Sequence, residues 1–199
     1  MDQRTIRPLL VLGAFVAGLV LCFGAVLFLT DKGRMVVSTQ GSAVGGPFTL
    51  TDQDGKTITD QDLRGKPFLV FFGFTHCPDV CPTTLFDVSE VMRKLGNDAD
   101  RTAALFISVD PERDTPSALK DYLSNFDPHL RGATGNLDTI AAVAKAYRVY
   151  YKKVPTENGD YTMDHTAIVY LMDKNGHFVA PFNMRRTPDE EAAELRKYF

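Results

Sequence analysis

Two cysteines separated by three residues are the strongest chemical feature of this 199-residue chain. Cys77 and Cys81 lie in the stretch Phe-Gly-Phe-Thr-His-Cys-Pro-Asp-Val-Cys-Pro, where a predicted strand should give way to a helix. A thiolate at a helix N-terminus is favoured by unpaired N–H groups and by the positive end of the helix dipole. The pattern therefore predicts a reactive dithiol, although two buried cysteines that only fill space would also satisfy it.

The spacing of the pair and the composition of the chain restrict which metal it could hold. If the second half of the stretch is helical, the sulfurs lie about one turn apart and could form a disulfide or bind one metal ion. A structural zinc site requires four ligands, whereas Cu(I) is satisfied by two thiolates and one imidazole. Because the chain contains four histidines, its composition favours Cu(I).

The residues alone leave open which histidine would complete such a site. His76 directly precedes the first cysteine, but neighbouring residues of an extended chain point to opposite faces. His165 precedes a predicted strand at residues 167–172, and an antiparallel arrangement could bring it beside the dithiol. His129 and His177 lie in predicted loops or turns. His165 is the preferred candidate, and a histidine without function remains the alternative.

The elements that must position these residues alternate between strands and helices. Apolar runs of strand length, helical spacing of apolar residues and turn signals define them. In order, they are a hairpin of residues 48–50 and 57–59, a strand at 68–72, a helix from Pro82 to Gly96, a strand at 103–109, helices from Pro116 and across 137–147, a hairpin of 167–172 and 178–182, and a helix from Pro188. This order predicts an α/β fold, a mixed sheet flanked by helices and preceded by an N-terminal β-hairpin. Reactive residues of such folds gather at the carboxyl ends of strands, where the dithiol lies.

A long apolar run near the N-terminus divides the chain. The 21 residues of Leu9–Leu29 carry no charge and match the ~20 residues that a membrane-spanning helix needs. The run is longer than the apolar region of a signal peptide, so we expect one uncleaved transmembrane anchor. Residues 1–8 would form a cytoplasmic tail, residues 30–46 a flexible Gly- and Ser-rich linker, and residues 47–199 the folded domain. This layout indicates a single-pass protein of a bacterial inner membrane with its C-terminal domain in the periplasm.

Charge argues against one class of partner. The whole chain has a net charge of −3, and the four basic and two acidic residues among the first 46 leave −5 for the remainder. Nucleic-acid binding requires clustered Lys and Arg. The folded domain is therefore not predicted to bind nucleic acid.

Three motifs in a fixed order resemble those of the Sco/SenC family of copper chaperones. They are Gly-Phe-Thr-His-Cys-Pro-Asp-Val-Cys-Pro at residues 73–82, Ser-Val-Asp-Pro-Glu-Arg-Asp-Thr at 108–115, and Asp-His-Thr at 164–166. The resemblance runs from about Pro47 to the C-terminus. It implies a thioredoxin-like fold, a membrane anchor and an exported domain.

The same resemblance implies a ligand set and partners. Copper, as Cu(I), Cu(II) or both, would be held by Cys77, Cys81 and His165. It would be delivered to the binuclear copper centre in subunit II of cytochrome c oxidase, with other copper carriers as further partners. Because Cu(I) requires both thiols reduced and the periplasm is oxidising, a Cys77–Cys81 disulfide and a periplasmic thiol reductase are also implied. The protein would then be a carrier rather than an enzyme.

Two other functions remain open at this point. The chain could be a thiol-disulfide oxidoreductase that keeps the oxidase cysteines reduced, with incidental metal binding. A peroxidase of the peroxiredoxin type ranks third, since no Pro-x-x-x-Thr stretch lies directly upstream of Cys77. Asp79 and Asp164 could orient a ligand, contact a partner or be solvated loop carboxylates. Asp110 and Glu112 are expected to be turn and helix-capping residues near the site.

Overall fold

The computed structural model describes residues 44–157 and 159–199. The predicted cytoplasmic tail and the anchor of Leu9–Leu29 lie outside these residues, as does nearly all of the predicted linker. Among the helices of the described ranges, none has both the length and the apolar character needed to cross a membrane.

A mixed sheet of seven strands forms the centre of the described part of the chain, and a separate pair of strands forms a second sheet. The strands are β1 (Thr49–Asp52), β2 (Thr57–Thr59), β3 (Phe68–Gly73), β4 (Ala103–Ser108), β5 (Leu130–Thr134), β6 (Tyr151–Pro155), β7 (Tyr161–His165), β8 (Val169–Met172) and β9 (Phe178–Phe182). The large sheet has the order β2-β1-β5-β4-β3-β8-β9. Within it, β3, β4 and β5 are parallel, and the other neighbours are antiparallel.

The two central strands, β3 and β4, are the most buried. Every residue of both strands is buried, as expected for parallel strands covered on both faces. They pair in register from Phe68 with Ala103 to Gly73 with Ser108. The strands predicted from continuous apolar runs are therefore confirmed, and the cysteine stretch follows the carboxyl end of β3.

Four α-helices accompany the sheet within the described ranges, and each was predicted. They are α1 (Val80–Leu95), α2 (Pro116–Leu123), α3 (Leu137–Ala146) and α4 (Pro188–Arg196). Proline opens α2 and α4, where its missing N–H costs nothing. The side chains of Thr115, Asn136 and Thr187 cap the N-termini of α2, α3 and α4. In the packing, α1 contacts α4 and α2 contacts β5.

Details of three helices differ from the predictions. Helix α1 begins two residues before Pro82, which is tolerated there because first-turn N–H groups lack helical partners. The apolar spacing of Leu119, Leu123 and Phe126 predicts that the helix from Pro116 reaches Phe126, whereas α2 ends at Leu123. Helix α3 ends at Ala146, one residue before the predicted end, and its buried face consists of Ile140, Val143 and Ala144.

The sequence reading missed β5 and the hairpin of β6 and β7. Strand β5 has the sequence Leu-Arg-Gly-Ala-Thr, and β6 is exposed along most of its length, so neither shows an apolar run or a clear alternation. Consequently, the prediction that His165 directly precedes a strand was wrong. It ends β7 rather than directly preceding a strand of residues 167–172, and β8 begins only at Val169.

Candidate metal centre

Cys77, Cys81 and His165 come together beyond the carboxyl end of β3. Their three ligand atoms lie within 4.8 Å of one another, and His165 Nε2 is 3.5 Å from Cys81 Sγ. Among the described residues, no other group of three or more His, Cys, Asp or Glu side chains has this arrangement. The structure therefore places His165, and none of the other three histidines, beside the dithiol.

Cys77 lies just before the N-terminus of α1, the helix end that was predicted to favour a thiolate. The backbone N–H of Cys81, in the first turn of α1, donates to Cys77 Sγ at 3.4 Å. Asp79, the N-cap residue, makes no side-chain capping hydrogen bond. The sulfur of Cys77 thus interacts with an N–H group that otherwise lacks a helical partner. Both cysteines are free thiols in the structure.

Cys81 lies in a different environment. Its side chain is 0% exposed, and this burial raises the pKa of the Cys81 thiol well above its ordinary value. A helix N-terminus was expected to favour the thiolate, so the expectation is wrong for this cysteine. Desolvation of the charged form outweighs the dipole here because no solvent reaches the sulfur.

The two thiols should therefore differ in reactivity when no metal is bound. We expect iodoacetamide at pH 7 to modify Cys77 faster than Cys81 by on the order of 100-fold, because the reactive species is an accessible thiolate. Peptide mass spectrometry of the reduced protein over time gives both rates and separates them from that of the third cysteine, Cys22, which lies within the apolar run of Leu9–Leu29. Equal rates at the two positions would contradict the burial of Cys81.

Gly73, the last residue of β3, makes room for the buried sulfur. A Cβ atom at this position would lie 2.7 Å from Cys81 Sγ and 2.7 Å from Phe106 Cε2. Real Cβ atoms do not approach other atoms so closely, so Cys81 can occupy its position only beside a glycine. The sequence reading missed this role, although a glycine ending a buried strand is a known signal of close approach.

Substitution of Gly73 by alanine should disturb both the core and the site. We expect Gly73→Ala to lower the free energy of unfolding by about 1–3 kcal/mol, as overpacking of a filled core does. Gly46→Ala is the control, since its Cβ would meet only the Ala146 Cβ, at 3.4 Å. Urea unfolding of both variants measures the effect, and equal stabilities would refute the steric role of Gly73.

His165 presents a neutral nitrogen to the sulfurs. Its Nδ1 lies 3.1 Å from the backbone carbonyl oxygen of Thr166, to which an Nδ1–H donates. This assignment leaves the Nε2 lone pair directed toward Cys81. The rings of Phe71 and Phe74 pack edge-on against the imidazole, with centroids 6.3 and 5.7 Å away. Burial lowers the pKa of His165, so at neutral pH the imidazole is uncharged and able to bind a metal.

A buried carboxylate holds the cysteine loop against β4. Asp114 is 0% exposed and accepts hydrogen bonds from the Thr75 N–H at 3.0 Å, the Thr75 hydroxyl at 2.6 Å and the Ser108 hydroxyl at 2.6 Å. These hydrogen bonds therefore hold the loop from Thr75 to Cys77 against the carboxyl end of β4. Sequence reasoning did not single out Asp114, although it lies within the second motif, at residues 108–115.

The remaining histidines are used elsewhere. His76 has a side chain 55% exposed, and its Nδ1 is 3.0 Å from the Thr75 hydroxyl. His129 lies 2.6 Å from Asp127 Oδ1, and that contact raises the pKa of His129. His177 interacts with Asp173 at the turn between β8 and β9. None of these imidazoles belongs to the group of three ligand atoms.

The acidic residues near the motifs have separate roles. Asp79 and Asp164 are exposed. The backbone carbonyl of Asp110 accepts two turn hydrogen bonds, as expected of a turn residue, while its side chain is buried. The prediction that Asp110 or Glu112 caps a helix was wrong, because Thr115 caps α2. Glu112 instead forms an ion pair with Lys153.

A family model and several known proteins match this chain, and they belong to the same family. The family model described as SCO1/SenC matches residues 36–199. The mitochondrial SCO1 homolog 1 of Arabidopsis thaliana is 41% identical over 162 residues, which cover 79% of this chain and 48% of that protein. The chain spans about half the length of the curated relatives from Arabidopsis thaliana and Homo sapiens that it matches.

Two solved structures with copper bound share the fold. Bradyrhizobium japonicum ScoI is 65% identical with a TM-score of 0.77, and the alignment covers 78% of this chain and 99% of that chain. Arabidopsis thaliana ScoI is 40% identical with a TM-score of 0.72, over 78% and 97% of the respective chains. The α/β sheet flanked by helices is thus the thioredoxin-like fold that the motifs implied.

Proposed function

Because the chain belongs to the SCO1/SenC family, we propose that it carries copper on Cys77, Cys81 and His165 and delivers it to subunit II of cytochrome c oxidase. The observation that carries this proposal is the convergence of the three ligand atoms within 4.8 Å. Copper-bound relatives of the same fold support the choice of metal.

The chemistry of the donor set fits copper as cargo. Two thiolates and one neutral imidazole are soft or borderline ligands, which suit Cu(I) and leave a structural zinc site one ligand short. Burial of Cys81 and the packing of Phe71 and Phe74 against His165 keep water from part of the site. Each thiol must lose its proton when copper binds, so binding should strengthen as pH rises.

The exposures of the three ligands suggest an order of release. Cys81 is fully buried, whereas Cys77 and His165 are partly exposed. An incoming thiolate of the target would first displace the neutral imidazole of His165, which carries no charge to hold the cation. Exchange of the two thiolates, one at a time, would complete the transfer without releasing free copper.

We further propose that the domain acts at a membrane surface. Leu9–Leu29 would anchor the chain in a bacterial inner membrane, and residues 30–46 would tether the domain in the periplasm. In that oxidising compartment the free dithiol would close to a Cys77–Cys81 disulfide. A periplasmic thiol reductase would then be needed before each round of copper loading, and other copper carriers would supply the metal.

A thiol-disulfide oxidoreductase is the second candidate, and the unequal exposure of the two cysteines favours it. Cys77 is partly exposed and interacts with the N-terminus of α1, as suits an attacking thiol, while the buried Cys81 could resolve a mixed disulfide. In this reaction the two thiols would reduce a disulfide of the oxidase copper site and become a disulfide themselves. His165 would not be required.

The two functions can be separated in a bacterial strain that lacks its own copy of the gene. The full-length chain should restore cytochrome c oxidase activity and the copper content of subunit II, and His165→Ala should restore neither. Full restoration by His165→Ala would favour the oxidoreductase. If the unaltered full-length chain fails to restore the oxidase, delivery to subunit II is refuted.

A further inference from the structure

We propose that Arg113, Asp110 and Tyr161 form a clamp that positions His165 for metal binding. The clamp joins the loop after β4 to the first residue of β7, the strand that ends with His165. This inference rests on the proposed function, because it assigns positioning residues to the same copper site. The three clamp residues would set the orientation of the His165 imidazole without binding the metal themselves.

The contacts within the clamp are short and mutually dependent. Arg113 Nε donates to Asp110 Oδ2 at 2.5 Å, and the Tyr161 hydroxyl donates to Asp110 Oδ1 at 2.9 Å. Arg113 Nη1 also donates to the backbone carbonyl of Tyr161 at 2.9 Å. The guanidinium carbon lies 3.7 Å from the centroid of the Tyr161 ring. Each clamp residue therefore contacts both of the others.

Burial of the clamp restricts how far its residues can move. The Asp110 side chain is 0% exposed and that of Arg113 is 17% exposed. A buried carboxylate with both oxygens engaged tolerates little displacement of its donors, because a lost partner leaves a charge without compensation. The first residue of β7 is thus held at a defined position against the body of the domain.

The hairpin that carries His165 requires such an anchor. Strands β6 and β7 pair only with each other among the described strands, and an isolated two-stranded hairpin is at best marginally stable in water. In β7, Tyr161, Met163 and His165 are two residues apart and so share one face. Met163 is buried, which shows that this face packs inward. The clamp fixes one end of the face, and His165 lies at the other end.

The segment from Asp110 to Asp114 also contacts the other half of the site. Asp114 binds the loop that carries Cys77, as described above. Arg113 lies 5.9 Å from the centroid of the Phe74 ring, which itself packs against His165. One short segment therefore sets the position of the thiols and of the imidazole relative to each other. Loss of the clamp should move His165 while leaving the dithiol in place.

Tyr161→Phe in the full-length reduced protein provides the direct test. It removes the hydroxyl bond to Asp110 and keeps the ring on Arg113. We expect the Cu(I) dissociation constant, measured by competition with a chelator, to rise about 10-fold, as loss of a hydrogen bond to a charged group would cause. Tyr150→Phe is the matched control, because Tyr150 is exposed and lies outside the clamp. Arg113→Lys, which breaks the fork of bonds, should weaken binding at least as much.

The same substitution made in a His165→Ala variant distinguishes positioning of His165 from general destabilisation of the fold. If the clamp acts through His165, Tyr161→Phe should change the dissociation constant less than 2-fold when combined with His165→Ala. Equal losses in both backgrounds, or unchanged affinity in both Tyr161→Phe and Arg113→Lys, would overturn the clamp.

A readout without metal keeps this inference distinct from the copper proposal. In the reduced copper-free protein, ¹⁵N spectra of the imidazole should show one Nδ1-protonated tautomer for His165. The signals should shift toward an averaged tautomer in Tyr161→Phe but not in Tyr150→Phe. Unchanged imidazole signals in Tyr161→Phe would overturn the clamp, whereas a wild-type protein that binds no copper would refute only the proposed function.

Discussion

Replacing either Cys77 or Cys81 by serine is expected to abolish one-to-one Cu(I) binding by the reduced protein. Loss of a supporting partner around a metal typically costs 10–100-fold in affinity, so loss of a direct thiolate ligand should cost more, at least about 1,000-fold. His165→Ala should weaken the one-to-one complex by about 100-fold, since only the two sulfurs would remain as ligands. Anaerobic titration with a competing chelator measures all three variants.

The neighbouring histidine supplies the control for this series. His76 is adjacent to Cys77 in sequence, yet it is exposed and lies outside the group of ligand atoms. His76→Ala should therefore bind one copper ion with unchanged affinity. Unchanged affinity and spectrum in His165→Ala, or loss of binding in His76→Ala, would show that the metal centre is assembled differently from the arrangement in the structure.

Asp114→Ala is expected to have the largest effect on stability. The substitution leaves the Thr75 N–H and the hydroxyls of Thr75 and Ser108 without their acceptor. Because buried donors that lose their partner cost about 1–3 kcal/mol each, we expect the free energy of unfolding to fall by about 3–5 kcal/mol. Copper affinity should fall as well, since the same bonds hold the loop that carries Cys77.

Urea unfolding at neutral pH measures this effect. Asp121→Ala is a matched control, because Asp121 is exposed on α2 and removal of its carboxylate should change stability by less than about 0.5 kcal/mol. Asp114→Asn retains one acceptor oxygen and should fall between the two. A loss below about 1 kcal/mol in Asp114→Ala would mean that the cysteine loop does not depend on this carboxylate.

Much of the fold was accessible from local patterns. The runs at residues 68–72 and 103–109 predicted β3 and β4 because a strand buried on both faces must be apolar along its whole length. Helix α1 was predicted from apolar spacing that ends at Gly96. These two signals also placed the dithiol at the carboxyl end of β3, and the structure confirms that location.

Short and exposed elements were missed for a physical reason. Strand β5 is five residues long, and most of β6 is exposed, so their stability comes from pairing with other strands rather than from their own composition. The hairpin that carries His165 was therefore absent from the sequence reading. For the same reason, the roles of Arg113 and Tyr161 could not be anticipated, because their contacts join residues about 50 positions apart.

The sequence by itself determined the place of the dithiol between a buried strand and a helix, and it carried the resemblance that implied His165 as its partner. Only the tertiary structure decided that His165 Nε2 lies 3.5 Å from Cys81 Sγ, across 84 residues of chain. It also decided that Cys81 is buried, which reverses the expected effect of the helix N-terminus on its pKa. Local patterns depend on neighbours in sequence, whereas distances between ligands and the solvation of a thiol depend on neighbours in space.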